Sequence, residues 1–218
     1  AMPPMERSYS RVDAKGEPTG FAVEAGASRL FRGLPGRDGS YDRNWGPAAV
    51  RYYNSHGVTA VLEANAGHPP SDGEAILALY KDLALHGDLT IRVSALLEAQ
   101  QEADLPQIYA LRQKYSGLPN FKVVGVKLFA DGIVDYPAQT AATLQPYLNS
   151  GKSGVLKIAP AAMARIVTDA DRHGMLVHIH AIGDRAVEVA LDSIAAARKA
   201  DPASSLPHTL AHLHLVAP

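Results

Sequence analysis

Apolar residues recur along this chain with two alternating periods, one helical and one strand-like, from about residue 45 onward. "WGPAAVRYYNSHG" (45–57) predicts a helix, with Pro47 near its first turn and Gly57 as its stop. "VTAVLEA" (58–64) is short, apolar and β-branched, a buried strand. Ser71 and Glu74 have capping-box spacing ahead of "AILALYKDLALHG" (75–87). Ile76, Leu77, Tyr80 and Leu83 then repeat at helical intervals. "LTIRVSALLE" (89–98) predicts the next strand, and "DLPQIYALRQKYSG" (104–117) a helix stopped by Gly117. "FKVVGVKLFADG" (121–132) predicts a strand ending in a turn. Residues 132–155 are irregular and rich in Gly, Thr and Ser, with one short helix expected near 144–148. "APAAMARIVTDADRHG" (159–174) predicts a helix from Pro160 to just before Gly174. "MLVHIHAIG" (175–183) is a strand, and "DRAVEVALDSIAAARKA" (184–200) a helix with Asp184 at its positive end, where a carboxylate is favoured. "HTLAHLHLV" (208–216) is the last strand.

Strands alternating with helices predict βαβ units around a parallel sheet. The strands are near-continuous apolar runs, as expected when both faces are covered. Five strands with four crossover helices are too few for an eight-fold barrel of about 250 residues. They fit either a partial (β/α)₈ barrel or a complete, open doubly wound sheet, and local pattern does not separate the two. Residues 1–20, polar with several Pro and Gly, read as an arm or loop, and 21–218 as the α/β domain.

Composition removes several classes. A net charge of −1 with no stripe of Lys and Arg offers nucleic acid no footprint. No apolar run approaches a membrane span, and the first ten residues lack the apolar region of a signal peptide. The chain has no cysteine, which excludes disulfides and thiolate metal sites and permits a reducing compartment, so a cytoplasmic location is expected.

Histidine changes the picture. Six of the nine (His173, His178, His180, His208, His212 and His214) fall after residue 170. In a parallel α/β fold the C-terminal strand ends converge on the ligand face. One strand carries Lys127 there, the next His178 and His180, the last His212 and His214. His180 and His212 occupy matching places on successive strands, so their imidazoles can meet at one point, and neutral imidazole is the commonest ligand for a divalent ion. Lys127 inside "VVGVKLF" is the oddest residue, because a buried ammonium is costly unless paired or chemically altered. Each residue also has a plain structural explanation. A single strand histidine is more often a hydrogen-bonded core residue. Lys127 can pair with Asp131, Asp131 and Gly132 can form a tight turn, and Asp184 can serve only its helix. His173 and His208 are given no role, and Trp45, Tyr52 and Tyr53 are expected to pack.

The runs "VKLFADG", "HIHAIGDRAVEVALDSIAAARK" and "LAHLHLVAP" resemble the amidohydrolase superfamily, in its "amidohydrolase 3" branch of metal-dependent hydrolases. "GEPTGFAVEAG" (16–26) and "GVTAVLEA" (57–64) fit as well, so the resemblance covers the chain from about residue 10. It implies a (β/α)₈ barrel with one or two divalent metals, zinc foremost, at the C-terminal face, and a small-molecule amide as substrate. By resemblance His180 matches the metal-binding histidine of strand five and His212 that of strand six. Lys127 matches the strand-four lysine that many relatives carboxylate to bridge two metals. His178 would orient a ligand or the substrate oxyanion, and Asp184 would fix the loop after His180. The pattern also departs from the family. No His-x-His pair lies before residue 170, and the aspartate of strand eight would lie beyond Pro218. The chain therefore resembles strands two to six of a larger enzyme, and by itself is expected to be inactive and to self-associate as a homo-oligomer or a domain-swapped dimer. Two alternatives stay open: a non-catalytic α/β binding or structural module with a histidine-lined edge, and a small metalloprotein using His178, His180, His212 and His214 together.

Overall fold

The computed structural model describes residues 10–22, 45–70 and 72–217. The chain divides into two compact units, 1–40 and 41–218. In the first, β1 (Ser10–Val12) pairs antiparallel with β2 (Pro18–Ala22). Asp13 closes the turn, its carboxylate accepting from the Lys15 and Glu17 amides. The expected arm or loop thus contains a hairpin.

In the second unit, α1 (Trp45–Ser55) leads into a regular alternation. This runs β3 (Ala60–Glu63), α2 (Asp72–Leu85), β4 (Arg92–Glu98), α3 (Leu105–Lys114), β5 (Phe121–Phe129), α4 (Pro160–Arg172), β6 (Leu176–Ala181), α5 (Asp184–Ala200) and β7 (Thr209–His212). All five strands are parallel and lie in sequence order, β3-β4-β5-β6-β7. The sheet curls into a half-barrel, which resolves the choice between partial barrel and open doubly wound sheet. Sequential order with a helix between successive strands gives that curl, whereas a doubly wound sheet reverses its order at a switch point. Among the described residues no helix is long and apolar enough to cross a membrane.

One face of the sheet carries the core. Val93, Ala95 and Leu97 of β4, Val126 and Leu128 of β5, and Val177 and Ile179 of β6 pack against Leu77, Ile108, Met163, Ile166 and Ala190 of the helices. Leu77, Ile108, Met163 and Ile166 are fully buried, and taking each of these side chains out of water contributes roughly 1.5–3 kcal/mol. Gly117 and Gly174 follow α3 and α4 with φ of 75° and 68°, the left-handed stop expected of them.

Five expectations need correction or fall outside the described residues. The strand at 58–64, expected to be buried, spans only Ala60–Glu63 and leaves Ala60 and Leu62 exposed. No helix forms near 144–148; the segment is bends and turns, held by Thr143 N–H to Ser153 O (2.8 Å) and Tyr147 N–H to Lys152 O (2.7 Å). Pro146 in its middle has no amide hydrogen to donate and steers Gln145 away from helical backbone, so turns form instead. Ser71 lies outside the described residues, so the capping box with Glu74 does too. Trp45, Tyr52 and Tyr53, expected to pack, are 74%, 65% and 43% exposed. The side chain of His208, given no role, is buried: its Nδ1 accepts from the Val177 amide (3.0 Å) and its Nε2 donates to Asp171 Oδ1 (2.8 Å).

Candidate metal centre

Strand alternation alone would put Lys127 on the wrong face. Phe121 and Val123 belong to the helix-covered core, so the alternate positions 125, 127 and 129 should follow them. A bulge intervenes. Ala95 of β4 pairs with Val123, but Leu96 pairs with Gly125, which leaves Val124 as an extra residue on β5. From there Val126 and Leu128 face the helices, and Lys127 and Phe129 face the hollow of the half-barrel. Gly125 permits this, since a Cβ there would lie 2.2 Å from the Leu176 carbonyl oxygen. The glycine inside "VVGVK" was the available signal for the bulge.

Across the sheet, Lys127 pairs with Glu98 on one side and His178 on the other, and Phe129 pairs with His180. Lys127 is 3% exposed. Its Nζ lies 4.8 Å from the centre of the Phe129 ring, a cation–π distance. Burial pushes its ammonium down to about 8, with Glu98 opposing. Glu98 itself accepts from Asn65 Nδ2 (3.3 Å) and Gln100 Nε2 (2.9 Å).

The two imidazoles meet by a route other than matched strand positions. His180 pairs with Ala211, and His212 with Ala181, one residue out of step. A regular strand would send His212 to the opposite face. Instead β7 ends there, with φ of +80° at His212 and +50° at Leu213. That turn brings the His180 and His212 rings edge-on at 4.5 Å between centroids. His214 follows at 6.3 Å from His212. Burial, the largest cause in each case, holds the His178, His180 and His212 imidazoles below their ordinary pKa. Lys127 adds to this in all three.

Hydrogen bonds orient these rings. His180 Nε2 lies 2.8 Å from the Gly132 carbonyl and 3.5 Å from Asp131 Oδ1. His178 Nδ1 lies 2.6 Å from Thr209 Oγ1. Asp131 forms no simple tight turn and is not used on Lys127. Fully buried, it accepts from the backbone amides of Ala142, Ile182 and Gly183. Asp184 Oδ1 accepts from the amides of Arg185 in its own helix (3.0 Å) and of Leu144 in the loop after β5 (2.8 Å). Lys127, His178, His180 and His212 thus gather at the C-terminal ends of three adjacent strands, while Asp184 stands behind them as a loop anchor. Among the described residues no three His, Cys, Asp or Glu side chains converge where an ion could sit, so His178, His180, His212 and His214 do not form a four-histidine site.

The profile of the Amidohydrolase family matches residues 6–218, and the chain belongs to that family. It is 27% identical to amidohydrolase YtcJ of Bacillus subtilis (strain 168) over 84% of this chain and 33% of that protein. It is also 27% identical to exoenzymes regulatory protein AepA of Pectobacterium carotovorum subsp. carotovorum, over 97% of this chain and 44% of that one. In fold it is similar to the crystal structure of an uncharacterized metal-dependent hydrolase from Pyrococcus furiosus, with a TM-score of 0.65 and 23% identity over 100% of this chain and 44% of that one. The counterpart from Pyrococcus horikoshii OT3 gives 0.63 and 24%, over 95% and 40%. The chain therefore spans between a third and less than half of the relatives it matches.

Proposed function

We propose that this chain forms the middle of a metal-dependent hydrolase acting on the carbon–nitrogen bond of a non-peptide amide, a cyclic amide or an N-acyl compound. The observation that carries the reading is the meeting of His180 and His212 at 4.5 Å on the strand-end rim that also holds the buried Lys127. These donors suit a divalent ion in kind. The imidazoles are held toward the neutral form that offers a lone pair, and an amine pushed down to about 8 gives up its proton more easily than an ordinary lysine. In number, three protein ligands are reached only if Lys127 counts as one. His180 and His212 would hold the ion, zinc foremost, with Lys127 ligating directly or as a carbamate made by adding carbon dioxide to its neutral amine and releasing a proton. When bound, the ion would supply a Lewis acid for the substrate carbonyl and acidify a water. His178, tied through Nδ1 to Thr209, keeps Nε2 for a ligand or the substrate oxygen. Asp184 holds the loop after β5 against the turn after His180 through Leu144.

The test is calorimetric titration of the chain with Zn²⁺, with His180→Ala and His212→Ala alongside. Weak binding lost in both variants is expected, with negligible hydrolysis of N-acyl amino acids or cyclic amides by residues 1–218 alone. Binding unchanged in both variants would end the reading, and full turnover by this chain would end the view that its site is incomplete.

The lack of three converging His, Asp or Glu donors among the described residues favours a second reading, a non-catalytic α/β module with a histidine-lined rim. Zn²⁺-independent folding with no binding at either histidine would support it. Self-association is proposed on the sheet edges: among the described residues β3 and β7 each pair on one side only, and Leu62 on β3 is 49% exposed. A clean monomer by size-exclusion chromatography would count against it. A cytoplasmic setting is proposed on the absence of cysteine alone.

A further inference from the structure

We propose that Asp131 is a positioning residue that fixes which nitrogen of His180 carries the proton. Asp131 lies two residues past the end of β5 and is fully buried. Both of its oxygens are in use. Oδ1 accepts from Ile182 N–H (3.0 Å), and Oδ2 accepts from Gly183 N–H (2.8 Å) and Ala142 N–H (3.0 Å). One carboxylate therefore ties the turn after β6 to the loop after β5. Gly183 makes the approach possible, since a Cβ there would lie 1.9 Å from the Ala142 carbonyl oxygen.

The consequence falls on His180, which sits two residues before Ile182. Pinning Ile182 and Gly183 to residue 131 brings the next carbonyl, that of Gly132, to 2.8 Å from His180 Nε2. A carbonyl only accepts, so Nε2 must carry the hydrogen and Nδ1 the lone pair. Asp131 Oδ1, 3.5 Å from the same Nε2, adds negative charge on that side of the ring. The clamp thus chooses the tautomer before any ligand arrives, as partners behind a ligating histidine do elsewhere. The inference rests on the proposed function only for what the free Nδ1 then does.

An asparagine cannot replace this carboxylate without conflict. Whichever way its amide turns, an NH₂ group faces at least one backbone N–H that now finds an oxygen. The experiment is nitrogen-15 NMR of histidine-labelled, metal-free chain, wild type and Asp131→Asn, with Zn²⁺ titration kept separate. In the wild type, His180 should show a pyrrole-type Nε2 and a pyridine-type Nδ1, with slow exchange of the Ile182 and Gly183 amides. In Asp131→Asn the His180 signals should move toward a mixture of tautomers. His208 is the internal control: its Nε2–H tautomer is held by Val177 and Asp171, and its signals should stay put in a folded variant. An Nδ1–H tautomer at His180 in the wild type would overturn the inference even if the variant does not fold. So would Asp131→Asn signals for His180 identical to the wild type. Loss of Zn²⁺ binding with the tautomer intact would instead count against the proposed function.

Discussion

Asp171 of α4 is the clearest place to weigh a buried charge in this fold. Its carboxylate accepts from Ser204 Oγ (2.6 Å) and His208 Nε2 (2.8 Å), and Arg198 Nη1 lies 3.4 Å away. Arg198 also donates to the carbonyls of Ser204 and Leu206. The cluster fastens the segment between α5 and β7, and β7 ends in His212. Asp171→Ala strands the Arg198 charge and the His208 donor. Losing one member of a buried pair costs about 3–5 kcal/mol. The Arg198 side chain keeps 34% of its exposure, which places the expected loss near the lower end, about 3 kcal/mol. At about 2–4 °C per kcal/mol for a domain of this size, the melting midpoint should fall by roughly 6–12 °C. Asp171→Asn should cost less, because an amide oxygen still serves His208 and Ser204, so the difference between the two variants isolates the hydrogen bonds from the charge. The same cluster predicts a pH dependence. Burial holds the folded His208 below its ordinary pKa of 6.5. Geometry gives the same direction, since protonating Nδ1 would set two N–H groups against each other at Val177. The unfolded chain then binds more protons below pH 6.5, so the stability due to His208 is complete above that pH and lost as pH falls beneath it. Differential scanning calorimetry from pH 8 to 5 on wild type, Asp171→Ala and His208→Gln reads both effects. A fall of less than 1 °C in Asp171→Ala, or an acid-side loss undiminished in His208→Gln, would refute the reasoning.

Gly125→Ala should destabilise by about 1–3 kcal/mol or more, because the new Cβ meets the Leu176 carbonyl oxygen at 2.2 Å, and urea melts measure it. Lys127→Met should raise the stability of the metal-free chain at pH 7, since a thioether carries no desolvation cost. That advantage should shrink from about pH 8 upward, where the folded lysine sheds its proton while the unfolded one still holds it. His212→Gly should be more stable than His212→Ala by about 1 kcal/mol in denaturant melts, because φ of +80° strains every residue with a Cβ. Equal stability of the two variants would remove the strain from the account.

The alternation of elements was legible because both its signals are local. Hydrophobic period, Pro160 at a helix start and Gly117 or Gly174 at a helix end need only neighbours along the chain. The helix 184–200 was read to the residue for that reason. The sites of Lys127, His180 and His212 were legible as residue types at strand ends, but the way they meet was not. It depends on an extra residue at Val124 and a left-handed turn at His212, which move Lys127 and His212 to faces that strict alternation denies them. Asp131 and His208 were underrated on similar grounds. Their partners lie 11 to 52 residues away along the chain, at Ala142, Ile182, Gly183, Asp171 and Val177, and no local pattern announces them.

These irregularities share a location, and that has a physical reason. A strand buried on both faces wants apolar side chains throughout, so a polar cluster on such a sheet is tolerated only where the ladder is about to end and backbone groups are free to pair with it. The bulge in β5 comes three residues before Lys127, the left-handed turn falls on His212 itself, and Asp131 spends its carboxylate on amides that have just left β6. A left-handed non-glycine residue costs of order 1–3 kcal/mol, and a buried ammonium costs more than an apolar side chain of the same size. That such costs are concentrated where three strand ends meet, and offset by the helix-packed face beneath them, is what a sheet organised around a rim of chemistry requires.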